Sequence, residues 1–500
     1  MDSTPAPAPP HAVTPARWVR ALLVVAFAGY AIFLARHIGA YAGNSDSSGY
    51  LNSARLIAHG EATIPQRVPA DLDSAQFDGF AFIPLGFRPR PEAKMAPTYP
   101  IGLPLLLAAT AAVTGWSSAP PLVMLASALA AVALMIPLGR AAGLPFAWSV
   151  FGALVFAAGP LTTFMSIQLM SDIPATAAVT AAVLCAWRSR AQPRWAVFAG
   201  VVFAVAVLIR PNNFLLLIPL ALCLGLDGRR WLGFTLGGLP GAVLQLAYNR
   251  AAYGHPLASG YGEGLVQSFT FGIVPTTLAH YARWLPVLLT PVGLAAVALP
   301  WLGRRSRFAW VLVAWIAVTF GFYAAYWHTH ETWWYLRFLL PAFPACLVAG
   351  LLVLRQGWLR LAPTRLQPPL VARSIAAAAA LVVLGHSALW HQRLDATLIG
   401  DGESVYPEAA AWTRVHVPAD AILVAQQTSG ALFYSTRLPV ARWDSLTAPD
   451  FARLTAVGRP IFAVLFPHEV PTALGPRLPG RWEKFGAVRH VTVWRWSPVP

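Results

Sequence analysis

Residues 17–50, RWVRALLVVAFAGYAIFLARHIGAYAGNSDSSGY, decide the fold class of this chain. Two arginines, Arg17 and Arg20, lie at the start of an apolar run at 18–38, and a polar segment with one acidic residue, Asp46, follows it. About 20 apolar residues in a helix are enough to cross the hydrocarbon core of a bilayer. The run is longer than the ~7–15 apolar residues of a signal peptide. We therefore expect an uncleaved membrane span that begins on the cytoplasmic side.

The composition extends this interpretation to the whole chain. Hydrophobic residues make up 57% of the 500 residues, charged residues only 11%, and the mean hydropathy is +0.57. Soluble globular proteins carry about 25% charged residues. Because the chain has less than half of that, it cannot cover a normal water-facing surface, and soluble, disordered and fibrous classes are excluded. The sequence predicts a polytopic α-helical membrane protein whose main partner is the lipid bilayer.

Ten further apolar stretches bring the predicted number of transmembrane helices to about eleven. They lie at 118–138, 145–168, 173–187, 195–209, 211–226, 231–250, 284–302, 308–326, 336–354 and 374–390. The apolar stretch 101–113 is left out of this number, because it is short and has Pro100, Gly102 and Pro104 near its start. A run of that length is more typical of an interfacial or re-entrant segment.

The net charge of +16 follows from this topology and does not indicate a nucleic-acid partner. With eleven spans and a cytoplasmic N-terminus, fifteen basic residues fall on the cytoplasmic side against only two acidic ones, Asp2 and Asp227. Cytoplasmic loops of membrane proteins collect Arg and Lys in this way. The fifteen are Arg17, Arg20, Arg140, Arg188, Arg190, Arg194, Arg229, Arg230, Arg304, Arg305, Arg307, Arg355, Arg360, Arg365 and Arg373.

The chain divides into three predicted parts. Residues 1–16 form a disordered cytoplasmic tail, residues 17–390 form the transmembrane catalytic domain with a first outer loop at 39–117, and residues 391–500 form a small α/β domain outside the membrane. In the last part, we expect a helix at 407–416 and strands at 421–425, 431–434, 461–466 and 488–496.

Two acidic residues are the candidates for chemistry. Asp46 follows the first span, and a carboxylate at the lipid–water boundary is placed to deprotonate a bound acceptor, although Asp is also a common helix N-cap. Asp172 lies in Ser171-Asp172-Ile173-Pro174 between two apolar runs. An ionisable residue at membrane depth indicates function, although the same four residues are also favourable at the start of a helix.

Three isolated basic residues on the predicted outer side suit a phosphate. Arg210 is the lone charge in 195–226, Arg337 enters an apolar span, and Lys94 is the only lysine before residue 484. Guanidinium groups bind phosphate and carboxylate groups with good geometry. For Arg210, a structural ion pair with Asp172 is an equal alternative.

The segment 326–337, YWHTHETWWYLR, is the densest polar and aromatic cluster in any short outer loop. Its aromatic rings fit a sugar-binding surface, and they also fit ordinary anchors at the membrane interface. One His-x-His pair is only a weak indication of a metal. The residues predicted to bind substrate are Tyr50, Tyr99, His328, His330, Glu331 and Trp333.

The chain contains neither a Walker sequence nor a Gly-x-Gly-x-x-Gly motif placed between a strand and a helix. A nucleotide-fed reaction in the cytoplasm is therefore unsupported, and a lipid-borne substrate used on the far side of the membrane remains.

Six short pieces, in order, resemble a known family. They are SDSSGYLNSARLIAHG, YPIGLPLLL, LMSDIPATAAV, VLIRPNNFLLLIPL, YGHPLASGYG and WWYLRFLLPAFP, spread over about 18–354. In this pattern the chain resembles the GT-C glycosyltransferases, and within them glycosyltransferase family 39, with its bacterial relatives of protein O-mannosyltransferases and lipid A aminoarabinose transferases.

The resemblance implies a donor sugar linked to polyprenyl phosphate and an acceptor lipid, glycan or protein. It implies that Asp46 is the essential first-loop acid and that Asp172 is the second acidic position. It also implies that Lys94, Arg210 and Arg337 contact the lipid phosphate. Many relatives have two adjacent acidic residues in the first loop, whereas Ser47 follows Asp46 here. A divalent metal, Mg²⁺ or Mn²⁺, held by Asp46 and Asp172 is left open.

Two alternatives remain at this stage: a polymerase or ligase of lipid-linked polysaccharides, and a flippase or transporter of lipid-linked sugars. A transporter is expected to show charges near mid-membrane and a repeat of two halves. The Arg-rich, Lys-poor usage indicates a GC-rich bacterium, so we expect a location in the inner membrane, with a periplasmic C-terminal domain.

Overall fold

The computed structural model describes residues 17–262, 264–302, 306–361 and 369–498. The predicted tail at 1–16, Arg304, Arg305 and Arg365 lie outside the described residues. The helices of the membrane part and its outer loops are α1 Arg17–His37, α2 Ser45–Ala58, α3 Gly102–Thr114, α4 Ala119–Ala141, α5 Phe146–Ala158, α6 Pro160–Ser166, α7 Asp172–Arg188, α8 Trp195–Ile209, α9 Leu217–Leu224, α10 Gly228–Tyr253, α11 Gly264–Gln267, α12 Val274–Leu288, α13 Thr290–Leu294, α14 Leu299–Leu302, α15 Arg307–Ala324, α16 Phe343–Leu361 and α17 Pro369–Arg393.

Short 3₁₀ turns connect several of these helices. Those that matter for the site are Pro211–Leu216, Trp327–His330 and Trp333–Ala342. Others lie at Ser74–Gln76, Phe271–Ile273, Ala295–Ala298 and Trp443–Ser445.

Five helical segments among the described residues are long and apolar enough to cross a membrane: Arg17–His37, Ala119–Ala141, Arg307–Ala324, Trp333–Arg360 and Ser374–Arg393. The pair α5 and α6 forms a sixth candidate, bent by 63° at the break before Pro160. A residue that precedes proline is disfavoured in helical geometry, which explains the break. The stretch predicted at 101–113 is a helix, α3, of thirteen residues. The number of eleven spans stays a prediction.

The helices pack around a buried centre. In the segment Trp333–Arg360, which contains most of α16, 83% of an apolar stretch of 18 residues is buried inside the protein. The corresponding value for α1 is 6%. Glycine brings α8 and α10 into close contact, since a Cβ on Gly200 would overlap the Phe234 carbonyl and one on Gly237 would overlap the Val197 carbonyl. Small residues permit such close approach of helix backbones in membranes.

The first outer loop holds a small antiparallel sheet. Its strands are β1 Ile64–Pro65, β2 Phe87–Arg90 and β3 Lys94–Pro97, in the order β1-β3-β2. The helix α2 precedes this sheet and packs against α3. Nine of the fourteen residues of α2 are buried, so this helix is packed into the protein.

The C-terminal segment carries a five-stranded mixed sheet. The strands β4 Ile422–Val424, β5 Val440–Ala441, β6 Ile461–Leu465, β7 Arg481–Val488 and β8 Val491–Ser497 lie in the order β5-β4-β6-β8-β7. The strand β4 runs parallel to β5 and β6, and β8 is antiparallel to both β6 and β7. The helices here are α18 Ile399–Glu403, α19 Val405–His416, α20 Ser429–Ser435, α21 Ala448–Ala456 and α22 Val470–Ala473.

The prediction of a strand at 431–434 is wrong, because these residues lie in α20. The physical reason is topological: β4 and β5 are parallel neighbours, and parallel strands need a crossover connection, usually a helix. The strand predicted at 488–496 is instead the end of β7 followed by β8, joined in a hairpin.

The C-terminal segment and the first outer loop share a core. Phe77 and Phe82 of the loop pack with β4, β6 and α21 in one buried cluster. The amide of Arg442 donates to the Ala81 carbonyl at 2.7 Å. The first loop is thereby part of the structure that the C-terminal segment forms.

Candidate active site

A polar cavity of about 450 Å³ lies where the ends of several elements meet. It is bounded by the first turn of α2, residues 98–100, the start of α7, residues 209–212 and residues 323–338. Seven of the predicted site residues line it: Asp46, Tyr50, Tyr99, Asp172, Arg210, His328 and Arg337. Residues far apart in sequence therefore converge on one space.

Asp46 is presented by the start of α2. The N-cap of this helix is Asn44, whose Oδ1 accepts from the amide of Asp46 at 3.1 Å. The alternative that Asp46 itself caps the helix is therefore wrong. Its carboxylate is released for the cavity, where Oδ2 accepts from Nη2 of Arg337 at 2.8 Å.

The surroundings of Asp46 hold its carboxylate charged. Burial alone would raise the pKa of Asp46, but the Arg337 charge and hydrogen bonds from Tyr99 and Arg337 outweigh this effect and lower the pKa below its usual value. Asp46 is thus an ionised carboxylate, and its basicity is reduced by its arginine partner.

Asp172 begins α7 and pairs with Arg210. The carboxylate of Asp172 is 1% exposed and contacts Nη1 of Arg210 directly. The structural alternative for Arg210, an ion pair with Asp172, is what is observed. Arg210 still lines the cavity, at the point where α8 ends before Pro211, so its guanidinium borders the space that a ligand would fill.

The two arginines flank one aromatic ring. The guanidinium carbon of Arg210 lies 5.4 Å from the centre of the Phe338 ring, and that of Arg337 lies 5.3 Å from it. Two guanidinium groups therefore border the same part of the cavity, each held by a carboxylate. A ligand that carries a phosphate would meet both of them.

Tyrosines form much of the remaining wall. Tyr50 donates to Oγ of Ser171 at 3.1 Å, and Tyr99 shares a hydrogen bond of 2.8 Å with Oγ of Ser45. The rings of Tyr50 and Tyr99 lie 5.0 Å apart. Four further tyrosines line the cavity, and the sequence analysis missed them: Tyr261, Tyr323, Tyr326 and Tyr335.

Six of the thirteen tyrosines of the chain therefore face this one cavity. Their position in or beside predicted outer segments was the available signal. It was too weak without the contacts, because Tyr is also common at membrane interfaces.

Four predicted site residues lie outside the cavity wall. Lys94 is on β3, half-exposed, and pairs with Glu92 at 2.8 Å. Trp333 is buried against Phe164. Glu331 accepts from Nδ1 of His328 at 2.7 Å and so contacts a residue of the wall. His330 packs its ring against Trp327.

The donor set of the cavity does not fit a metal ion. Among the described residues, no three His, Cys, Asp or Glu side chains cluster as a metal site requires. Asp46 and Asp172, the two carboxylates considered as ligands, are each occupied by an arginine.

A larger cavity of about 1000 Å³ lies among α1, α4, α5 and α17. Its lining is apolar apart from Tyr30, Thr163, Ser387, His391 and Thr397. Since it contains neither a carboxylate nor a guanidinium, the chemistry is assigned to the smaller, polar cavity.

The chain is similar to known proteins in its structure. No family model matches the chain, and no curated protein sequence matches it significantly. The structure of ArnT from Cupriavidus metallidurans in the apo state matches with a TM-score of 0.57 and 14% identity, over 96% of this chain and 97% of that one. The same protein bound to undecaprenyl phosphate matches with a TM-score of 0.56 and 15% identity, over 96% of this chain and 98% of that one.

A third match is the oligosaccharyltransferase of Archaeoglobus fulgidus, with a TM-score of 0.53 and 12% identity, over 91% of this chain and 69% of that one. These structural neighbours are all GT-C glycosyltransferases. Matches of this extent, at such low identity, show the fold. The fold that the resemblance implies is thus confirmed: the chain has the fold of these GT-C glycosyltransferases.

Proposed function

We propose that this protein is an integral-membrane glycosyltransferase. It moves a sugar from a polyprenyl-phosphate donor to an acceptor on the non-cytoplasmic side, with Asp46 as general base. The observation that carries the proposal is the contact between the Asp46 carboxylate and the Arg337 guanidinium inside a polar cavity that Arg210 also lines. A carboxylate that can act as a base and two guanidinium groups that can bind a phosphate therefore line the same cavity.

The reaction follows from these groups. An acceptor hydroxyl attacks the anomeric carbon of the donor sugar, and its proton passes to the Asp46 carboxylate. The bond between the anomeric carbon and the phosphate oxygen breaks, and the lipid phosphate leaves with the bonding electrons. A single displacement of this kind inverts the anomeric centre. Tyr50 and Tyr99 border the space in which the sugar would lie.

Arg337 and Arg210 stabilise the leaving phosphate. Charge develops on the phosphate oxygens as the bond to the sugar breaks. A well-placed donor to such an oxygen is worth about 2.7–4 kcal/mol of transition-state stabilisation in other enzymes. Because both arginine side chains are only 14% exposed and are already held by their carboxylates, little reorganisation is needed when the phosphate arrives.

Donor binding also activates the base. In the free protein, Arg337 lowers the pKa of Asp46 and so weakens it as a base. A donor phosphate that takes over hydrogen bonds of Arg337 removes part of this effect, and the Asp46 carboxylate becomes more basic. Asp46 is therefore a better base in the donor complex than in the free protein.

The comparisons support a lipid phosphate as the donor group. One structural neighbour was solved bound to undecaprenyl phosphate, and the A. fulgidus oligosaccharyltransferase was solved with a dolichol-phosphate and an inhibitory peptide. Carried over to this chain, these ligands support a polyprenyl-phosphate sugar as donor. The location that we propose is the bacterial inner membrane.

Replacing Asp46 with Asn tests the function. The purified protein in liposomes receives polyprenyl-phosphate sugars with labelled sugar and a panel of lipid, glycan and peptide acceptors. We expect Asp46→Asn to lower kcat by about 10²–10⁴-fold, the range of general base catalysis. Asp73→Asn is the matched control, because Asp73 is exposed in the same loop and Asn can keep its capping bond.

Two results would contradict the proposal. Full transfer by a folded Asp46→Asn protein would exclude Asp46 as the base. Movement of the intact labelled lipid across the bilayer, with no cleavage of the sugar–phosphate bond, would favour the flippase alternative.

A further inference from the structure

A buried carboxylate of the C-terminal segment reaches the start of the helix that carries Asp46. Glu403, the last residue of α18, is 8% exposed. Its Oε2 accepts from the backbone amide of Asn44 at 3.4 Å, and its Oε1 accepts from Nδ2 of Asn44 at 3.5 Å. These two residues are 359 positions apart in the sequence. The proposed reaction gives Glu403 no role.

Asn44 connects Glu403 to Asp46. While the amide nitrogen of Asn44 faces Glu403, its Oδ1 accepts from the backbone amide of Asp46 at 3.1 Å and from Oγ of Ser47 at 3.4 Å. The Asn44 side chain thus accepts hydrogen bonds from the first turn of α2 through its oxygen, and its nitrogen is oriented by the carboxylate of Glu403. An Asn amide can satisfy both roles only in one orientation.

The backbone on both sides is shaped to admit this contact. A Cβ on Gly43 would overlap the Glu403 carboxylate, and a Cβ on Gly39 would overlap the backbone of Gly400 in α18. On its other side, Gly39 donates its amide to the Ile167 carbonyl at 2.8 Å. The linker between α1 and α2 is therefore held between α18 and the segment that follows α6.

We propose that Glu403 is a positioning residue for Asp46: by orienting Asn44, it fixes the first turn of α2 and the direction of the Asp46 carboxylate. The inference rests on the proposed function of Asp46. Its consequence is that the C-terminal segment takes part in catalysis through the base, without contact with the substrate. A misplacement of about 1 Å at a reacting group can lower a rate on the order of 10²-fold.

The pKa of Glu403 is consistent with a buried contact of this kind. Burial raises it to about 7, the amide of Asn44 opposes the shift, and the nearby Asp46 charge adds to it. The pKa of Tyr406 is also raised, first by burial and then by the charges of Glu403 and Glu469. A carboxylate is costly to keep in such a place, and a contact to α2 gives it a use.

An exchange of the amide and the carboxylate tests the inference. In Glu403→Gln, the new NH₂ group faces one of the two N–H donors of Asn44. Two donors cannot bond each other, so one of the two hydrogen bonds between these residues is lost. Asn44→Asp keeps the cap on α2 but sets two carboxylates against each other. The double variant restores every bond, because the new amide donates to the new carboxylate and its oxygen accepts the backbone amide. We expect each single variant to lose between about tenfold and about a hundredfold in kcat with little change in KM, and the double variant to recover most of it.

Glu469→Gln is the matched control for loss of a buried carboxylate. Glu469 is 2% exposed and accepts from Trp443 and the amide of Phe466 within the C-terminal segment. We expect this variant to lower thermal stability and, at temperatures where it is folded, to leave kcat unchanged.

Asp46→Asn is measured beside these variants to keep the two proposals apart. If Asp46→Asn is inactive while folded Glu403→Gln keeps the wild-type kcat, the positioning role is wrong and the proposed function stands. If the double variant is no more active than the single variants, or does not fold, the positioning role is also wrong. Full activity of Asp46→Asn would overturn the proposed function itself.

Discussion

The residues Asp172 and Arg210 form an ion pair at the wall of the polar cavity. Its carboxylate is 1% exposed and its guanidinium borders the polar cavity. Removing one partner of a buried ion pair leaves an uncompensated charge, which costs about 3–5 kcal/mol. We expect Asp172→Asn and Arg210→Gln each to destabilise the protein by this order. In the double variant, we expect stability to return and transfer to stay low, since of the two guanidinium groups that we propose to bind the phosphate only that of Arg337 is left.

Thermal unfolding in detergent together with the transfer assay checks this prediction. Arg190→Gln is a suitable control, because Arg190 bonds backbone carbonyls at the opposite end of the bundle. A double variant with wild-type transfer would reduce Arg210 to a purely structural residue.

Arg337 gives a second prediction, this one on pH dependence. In Arg337→Gln the charge that lowers the pKa of Asp46 is gone, so the pKa of the carboxyl rises. The acid limb of the kcat/KM profile is therefore expected to move to higher pH, while the rate at its plateau falls by about 10²–10³-fold. Unchanged limbs in a variant that is slow would show that Asp46 does not titrate in the free enzyme.

Among the elements, the helix α18 makes stability depend on pH through its buried Glu403. The pKa of this group is about 7 in the folded protein and about 4.3 in an unfolded chain. The folded protein binds the proton of Glu403 more tightly than the unfolded chain does. The protonated carboxyl therefore stabilises the fold fully below pH ~4.3, and this contribution is lost as pH rises through about 7. We expect wild-type stability, relative to Glu403→Gln, to fall by on the order of 3 kcal/mol between pH 4 and 8. Denaturation in detergent at several pH values measures it, and a constant difference would contradict the prediction.

At the scale of the whole molecule, the prediction concerns the topology of the chain in the membrane. Eleven spans with a cytoplasmic N-terminus place residue 373 inside and residue 400 outside, because α17 crosses between them. A reporter that is active only outside the membrane is therefore expected to stay silent when fused after 373 and to be active after 400. The reverse result would make the helix Gly102–Thr114 a true span.

The fold class and seven of the residues that line the polar cavity could be predicted from the sequence, for a physical reason. Asp46, Asp172, Arg210 and Arg337 are lone charges beside apolar runs, where a charge is costly and therefore conspicuous. Glu403 had no such signal, because it looks like an ordinary surface residue until α18 meets Asn44 across more than 350 positions. The helix at 429–435 was mistaken for a strand, since only the parallel pairing of β4 and β5 requires a crossover there.

The two internal ion pairs of the polar cavity have a consequence for the end of the catalytic cycle. In the proposed reaction, the spent lipid phosphate lies on Arg337 and Arg210 after transfer, and a tightly held product would stall the enzyme. Once Asp46 has released the proton that it took from the acceptor hydroxyl, Asp46 and Asp172 are carboxylates attached to the protein at hydrogen-bonding distance from these guanidinium groups, so they compete with the product at very high effective concentration. We expect the carboxylates to displace the phosphate, and the resting ion pairs to be the state to which each turnover returns.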